Sequence, residues 1–149
     1  TLFLSTLFLF CTPNSIVKNT FSATYTRKEL FKLIDDLSPK PVVIMAHTND
    51  GPTILYYTKH SVVGTPYHRQ PQGIISSFKV MEDKYDEKIV KDILKATQSS
   101  YLLIRKKRYA EAKVQSLPQM IINNIPPKWV KIIRLPPKFS DVIVAKILN

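Results

Sequence analysis

The sequence predicts an α/β domain: a three-layer sandwich with a mostly parallel sheet and an antiparallel carboxyl-terminal edge. Three observations lead there. Residues 42–46 (VVIMA) and 101–104 (YLLI) are apolar without interruption, as suits strands covered on both faces. Residues 83–97 between them carry Ile89, Val90, Ile93 and Leu94 at helical spacing, with Lys88, Lys91, Asp92 and Lys95 on the other side. Near the end, the double prolines 126–127 and 136–137 bracket a strand, residues 129–135. A last strand over 141–148 lies close enough to pair with it antiparallel. Strands that alternate with helices build a sheet with helices on both faces.

Taken in order, residues 1–11 (TLFLSTLFLFC) contain no charge. Eleven helical residues rise about 16 Å, roughly half the hydrocarbon core of a bilayer, so this segment does not span one alone. It reads as the end of a transmembrane helix. The competing readings are the apolar part of a signal sequence and a buried strand or helix. Residues 12–25 are rich in Ser, Thr and Asn and read as a linker, which leaves 26–149 as the soluble α/β domain. The domain opens with a helix. Thr26 and Glu29 have the spacing of a capping box, Leu30, Phe31, Ile34 and Leu37 share a face, and Ser38-Pro39 stops it. After the strand 42–46, Asn49 or Asp50 is expected to cap a short helix with Pro52 in its first turn and with Ile54 and Leu55 inward. A strand at 61–63, a loop at 65–69, a helix over 74–80 and the helix within 83–97 follow. Beyond the strand 101–104 come a helix over about 109–116 and a shorter one from Pro118 to about Asn123.

The net charge is +11, supplied mostly by lysine. No zinc-finger, helix-turn-helix or RNA-binding pattern accompanies it, so nucleic acid is not the expected partner, whereas anionic lipid needs only clustered Lys and Arg. A single cysteine, Cys11, excludes an internal disulfide. There is no GxGxxG, no P-loop and no Gly-x-Ser-x-Gly, and no pair of histidines has the spacing of a zinc motif. Neither a cofactor nor a metal is expected, and no complete set of catalytic residues is visible.

What chemistry there is gathers in residues 42–73. All three histidines, His47, His60 and His68, and all three glycines, Gly51, Gly64 and Gly73, lie there. Ligands of open α/β sheets sit outside the carboxyl ends of the strands. His47, Asn49 and Asp50 follow one strand, and Tyr67, His68 and Arg69 follow the next. With His60 they form the candidate ligand-binding set, suited to a phosphate or to sugar hydroxyls. Prolines 66 and 71 restrict the second loop. His68 and Arg69 are therefore expected to converge with His47 and Asp50, Arg69 either pairing with Asp50 or facing an anionic ligand. The alternative is that the histidines, and Arg69, only tie loops to backbone carbonyls.

The run HTNDGPTILYYTKHSVVGTPYHRQPQGI, with Gly51-Pro52, Leu55-Tyr56, Thr58-Lys59-His60 and Pro66-Tyr67-His68-Arg69, resembles the carboxyl-terminal soluble domain of large polytopic bacterial membrane proteins. Those in turn resemble the glycosyltransferases that use polyprenyl-phosphate-linked sugars. The resemblance covers about residues 40–105. It implies a domain attached to the bacterial inner membrane through upstream helices and facing the periplasm, with a lipid-linked sugar or anionic lipid as partner. It also implies a chain that is catalytically incomplete alone. Two other classes remain open on the residues themselves: a free-standing soluble α/β enzyme built on His47, Asp50 and His68, and a basic interaction module centred on Arg105, Lys106, Lys107 and Arg108.

Overall fold

The structure, a computed structural model, describes residues 27–67 and 69–148. The apolar segment 1–11, the linker 12–25, Thr26 with its half of the capping box, and His68 all lie outside the described residues. The described part is the α/β sandwich expected. Its five strands are β1 (Val43–Ala46), β2 (Ser61–Val62), β3 (Ser99–Arg105), β4 (Val130–Ile133) and β5 (Val142–Ile147), in the sheet order β2-β1-β3-β5-β4. β1 is parallel to both β2 and β3, and β5 is antiparallel to β3 and to β4. Four strands thus run one way and β5 alone runs against them. The helices are α1 (described over residues 27–35), α2 (Gly51–Tyr57), α3 (Pro71–Met81), α4 (Glu87–Ala96) and α5 (Leu117–Ile122).

Alternation along the strands separates two cores. Met45, Leu102, Ile104 and Ala145 point to the side of α3, α4 and α5, where they meet Val80, Met81, Val90, Leu94 and Ile121. Ile44, Ala46, Tyr101, Leu103 and Val144 point to the opposite side, where α1 and α2 supply Leu30, Phe31, Ile34 and Ile54. Because β1 and the middle of β3, Tyr101–Ile104, are covered on both faces, their sequences are apolar without alternation. The Tyr101 hydroxyl meets the Leu37 carbonyl at 3.0 Å, so the one polar atom buried with that core layer is satisfied.

Several local expectations are corrected. Leu55 was expected inward but is 50 % exposed. α2 is only seven residues long, and it turns Ile54 to the core and stacks Tyr57 on Phe31, which leaves position 55 outside the apolar arc. Ile89 is likewise 47 % exposed. The first turn of α4 is capped by the Asp86 carboxylate accepting from the Ile89 N–H, and it is Val90, Ile93 and Leu94 that meet the core. The helix expected over 109–116 is absent. A 3-10 turn, Lys106–Tyr109, leads through an irregular segment to α5, because Tyr109 is drawn into the core and fixes the chain there. β3 begins at Ser99, two residues ahead of the strand expected from Tyr101. The reversal before it is made by Gln98 at φ 54°, a left-handed residue.

The three glycines share one function. A Cβ on Gly51 would stand 2.5 Å from the Gly64 carbonyl oxygen, and one on Gly64 would stand 2.7 Å from the Gly73 carbonyl oxygen and from Ser77 Oγ. A Cβ on Gly73 would strike the Val63 carbonyl oxygen. The start of α2, the segment leaving β2 and the first turn of α3 are therefore stacked backbone on backbone. This contact holds the loop after β2 at the same end of the sheet as the residues after β1.

Candidate functional site

β1 ends at Ala46 and β3, its parallel neighbour, ends at Arg105. From those ends the chain departs in opposite directions. After β1 it enters α2, on the side of α1. After β3 it enters the turn containing Tyr109, on the side of α3 and α5. Departures to opposite faces open a crevice between two strand ends. His47, Asp50, Glu82, Arg105, Arg108 and Tyr109 meet there.

Asp50 is the centre. It is buried, with a side chain only 8 % exposed. Its Oδ1 lies 2.7 Å from Arg105 Nε and its Oδ2 lies 3.7 Å from an Arg108 terminal nitrogen. The Arg105 Nε is itself buried and not aligned for a hydrogen bond, so this short contact acts through charge. Asp50 also stands at the N-cap of α2, although its side chain makes no capping bond. The two guanidiniums occupy its oxygens instead.

His47 caps the 3-10 turn Thr48–Asp50, its Nδ1 accepting from the Asn49 N–H at 3.1 Å. A neutral imidazole that accepts at Nδ1 carries its proton on Nε2. That proton faces Glu82 Oε1 at 2.7 Å, and an Arg108 nitrogen lies 3.4 Å away. Both ring nitrogens are therefore engaged. Burial first, and then the Arg108 guanidinium, holds the His47 pKa below its ordinary 6.5, against the opposing pull of Glu82 and Asp50. Tyr109 is buried beside these groups. Its phenol is pushed upward by burial and by the Glu82 charge, and it is neutral at physiological pH.

The lowered His47 pKa carries a stability consequence with a definite sign. The unfolded chain takes up a proton near pH 6.5, whereas the folded chain resists it to a lower pH. The stabilisation is whole above about pH 6.5 and is lost as pH falls from there toward the folded value. We expect the urea midpoint of the native chain to drop between about pH 7 and pH 5 by more than that of His47→Gln, which has no imidazole to titrate. Equal drops in the two proteins would assign the loss to other groups.

The remaining candidates divide. Asn49 contributes its backbone N–H to the His47 cap. His60 lies at the other end of the strands, 2 % exposed, with Nδ1 accepting from the Val42 N–H at 3.3 Å and Nε2 facing the Ile34 carbonyl at 3.0 Å. It ties α1 to the start of β1, and both nitrogens are spent on backbone. The loop after β2 leaves from the same end of the sheet as the residues after β1, since β2 is parallel to β1. In it Tyr67 is 67 % exposed and Arg69 is exposed, and the structure of His68 lies outside the described residues. The expected pairing of Arg69 with Asp50 is not what the crevice shows, because Arg105 and Arg108 fill that role.

Glu82, Arg105, Arg108 and Tyr109 are the members that the sequence reading left out of the site. The signal for two of them was present. Arg105 and Arg108 directly follow a buried apolar run, at the same kind of strand end that selected His47 and Asp50. Among the described residues, no group of three or more His, Cys, Asp or Glu side chains is arranged to hold a metal ion, and no helix is long and apolar enough to cross a membrane.

No protein-family model matches the sequence, and no curated protein matches it. Among solved structures, the chain is similar to the C-terminal globular domain of an oligosaccharyltransferase from Archaeoglobus fulgidus. The TM-score is 0.57 at 13 % identity, over 85 % of this chain and 95 % of that one. At this identity the likeness is one of fold, and it joins the domain described here to the fold of a carboxyl-terminal globular domain.

Proposed function

We propose that the chain serves as the carboxyl-terminal, ligand-binding domain of a membrane glycosyltransferase-like protein, accessory to catalysis and not catalytic alone. In this reading the domain faces the periplasm from the bacterial inner membrane, and its crevice takes the anionic group of a lipid-linked sugar. The likeness to an oligosaccharyltransferase domain supports the setting, as does the uncharged apolar segment 1–11. The observation that carries the reading is the internal pairing of the crevice. The carboxylate of Asp50 faces two guanidiniums and His47 has no free nitrogen, so neither is disposed to move a proton to or from a substrate.

Arg108 is the exception to that closure. It is the loosest member, at 3.4 Å from His47 and 3.7 Å from Asp50, with nearly a third of its side chain exposed. Lys106 and Lys107 stand exposed beside it. A planar guanidinium with donors to spare suits a phosphate oxygen pair, and in this reading Asn49, Tyr67, His68 and Arg69 take the rest of the ligand. We expect farnesyl phosphate to bind the chain in a calorimetric titration. Arg108→Ala should weaken binding about tenfold or more, as a charge-assisted hydrogen bond of roughly 1.5–3 kcal/mol requires. Undiminished affinity in that variant would remove Arg108 and the crevice from the reading.

A further inference from the structure

At the opposite end of the sheet lies a second feature that the crevice does not involve. An open groove of about 1310 Å³ runs between α4, the start of β3, the end of β5 and the segment Pro126–Trp129. Lys91, Lys95, Lys128 and Lys146 line it, and Glu87 is its one carboxylate, already paired with Lys91 at 2.8 Å. The imbalance continues outside the groove. Lys131 stands directly across the sheet from Lys146, on the same face. From residue 112 onward, six Lys and Arg side chains accompany a single acid, Asp141. Like charges directly opposite on paired strands destabilise the sheet, and a cleft lined by one sign of charge focuses the field on its contents. Between these lysines the groove is apolar, lined by Pro126, Pro127, Trp129, Ile147 and Leu148.

We infer that this groove binds an extended, acidic and partly apolar segment of a partner protein. Its volume exceeds the roughly 300–1,000 Å³ of small-molecule sites, so a stretch of chain fills it better than a compact ligand. Nucleic acid is disfavoured because the lining holds no arginine and its one aromatic face is covered, the Lys91 ammonium sitting 5.7 Å from the Trp129 ring centre. Gln98 and Ser100 border the groove as well, and Gln98, which is exposed, offers an amide to an incoming backbone. Residues 1–26 contain neither Asp nor Glu, so that segment does not supply the acidic occupant.

Trp129 is the only tryptophan of the chain, so its emission reports on the groove directly. The probe is a capped decapeptide of alternating glutamate and valine, with oligothymidylate and phosphatidylglycerol vesicles as the competing arms. Saturable change in Trp129 emission with the peptide is expected, weakened at about 1 M salt, where charges are screened beyond about 3 Å. The double variant Lys95→Glu, Lys146→Glu should bind the peptide at least tenfold more weakly. Its melting temperature should be equal or higher, because Lys146→Glu replaces a like-charge pair with Lys131 by an opposite one. Lys106→Glu with Lys107→Glu, at the crevice end, should leave peptide binding unchanged, which separates this inference from the proposal for the crevice. The inference is overturned by peptide binding that ignores the double reversal, by a response to oligothymidylate or vesicles in place of the peptide, or by silence toward the peptide at millimolar concentration.

Discussion

Replacing Asp50 with alanine should lower the unfolding free energy by about 2–4 kcal/mol. Breaking a buried ion pair by removing one partner typically costs about 3–5 kcal/mol, because the other charge is left without compensation. The lower range applies here because the stranded guanidiniums, with side chains 27 % and 31 % exposed, retain part of their hydration. Urea unfolding of Asp50→Ala, Arg105→Ala and the double variant measures the coupling. A coupling energy above about 1 kcal/mol is expected for side chains in direct contact. Coupling near zero would mean that Asp50 contributes through its place at the start of α2 alone, where a negative charge meets the helix dipole. In either case Asp50→Ala should also disturb Arg108, which loses one of its two anchors in the crevice.

A loss of similar size is expected for Gly64→Ala. Its Cβ would meet the Gly73 carbonyl and Ser77 Oγ, each at 2.7 Å, and a carbonyl within a helix cannot swing aside as a flexible side chain can. Overpacking of this kind costs about 1–3 kcal/mol. Gly73→Ala is the more informative variant, because two effects oppose each other. Alanine is favoured over glycine in a helix by about 1 kcal/mol, but here the new methyl strikes the Val63 carbonyl. The clash is expected to win, with a net loss of about 1–2 kcal/mol. A rise in thermal midpoint for Gly73→Ala would show that the loop after β2 is free to move away from α3. If Tyr67 and Arg69 contact the ligand as proposed, both alanine variants should also weaken farnesyl phosphate binding.

Some of this structure was legible because it depends on short-range pattern. An uninterrupted apolar run reports burial on both faces, so β1 and β3 could be read as central strands. Helical spacing located α4. Proline pairs bounded the two antiparallel strands. The expectation that polar groups collect where strands end placed His47 and Asp50 together, and the structure gives them a shared neighbour in Arg108. The coincidence of all three glycines with this region had a physical cause too: three backbone segments approach where no side chain fits.

Other features depend on which residues meet across the fold, and periodicity is silent about that. Leu55 and Ile89 match the apolar pattern, yet each lies beyond the area its helix buries. His60 and His47 look alike in sequence, and the same tautomer serves both. The fold sends one to the amino end of the sheet, where backbone takes both nitrogens, and the other to the carboxyl end, beside Glu82 and Arg108. Arg69 was a plausible partner for Asp50 by proximity along the chain. Arg105, fifty-five positions away, is the partner in fact, because β3 lies beside β1 and ends beside it. The sequence by itself determined the layers, the buried strands and the end of the sheet where polar groups collect. Only the tertiary structure decided which charges pair, because strand order brings together residues that no local spacing relates.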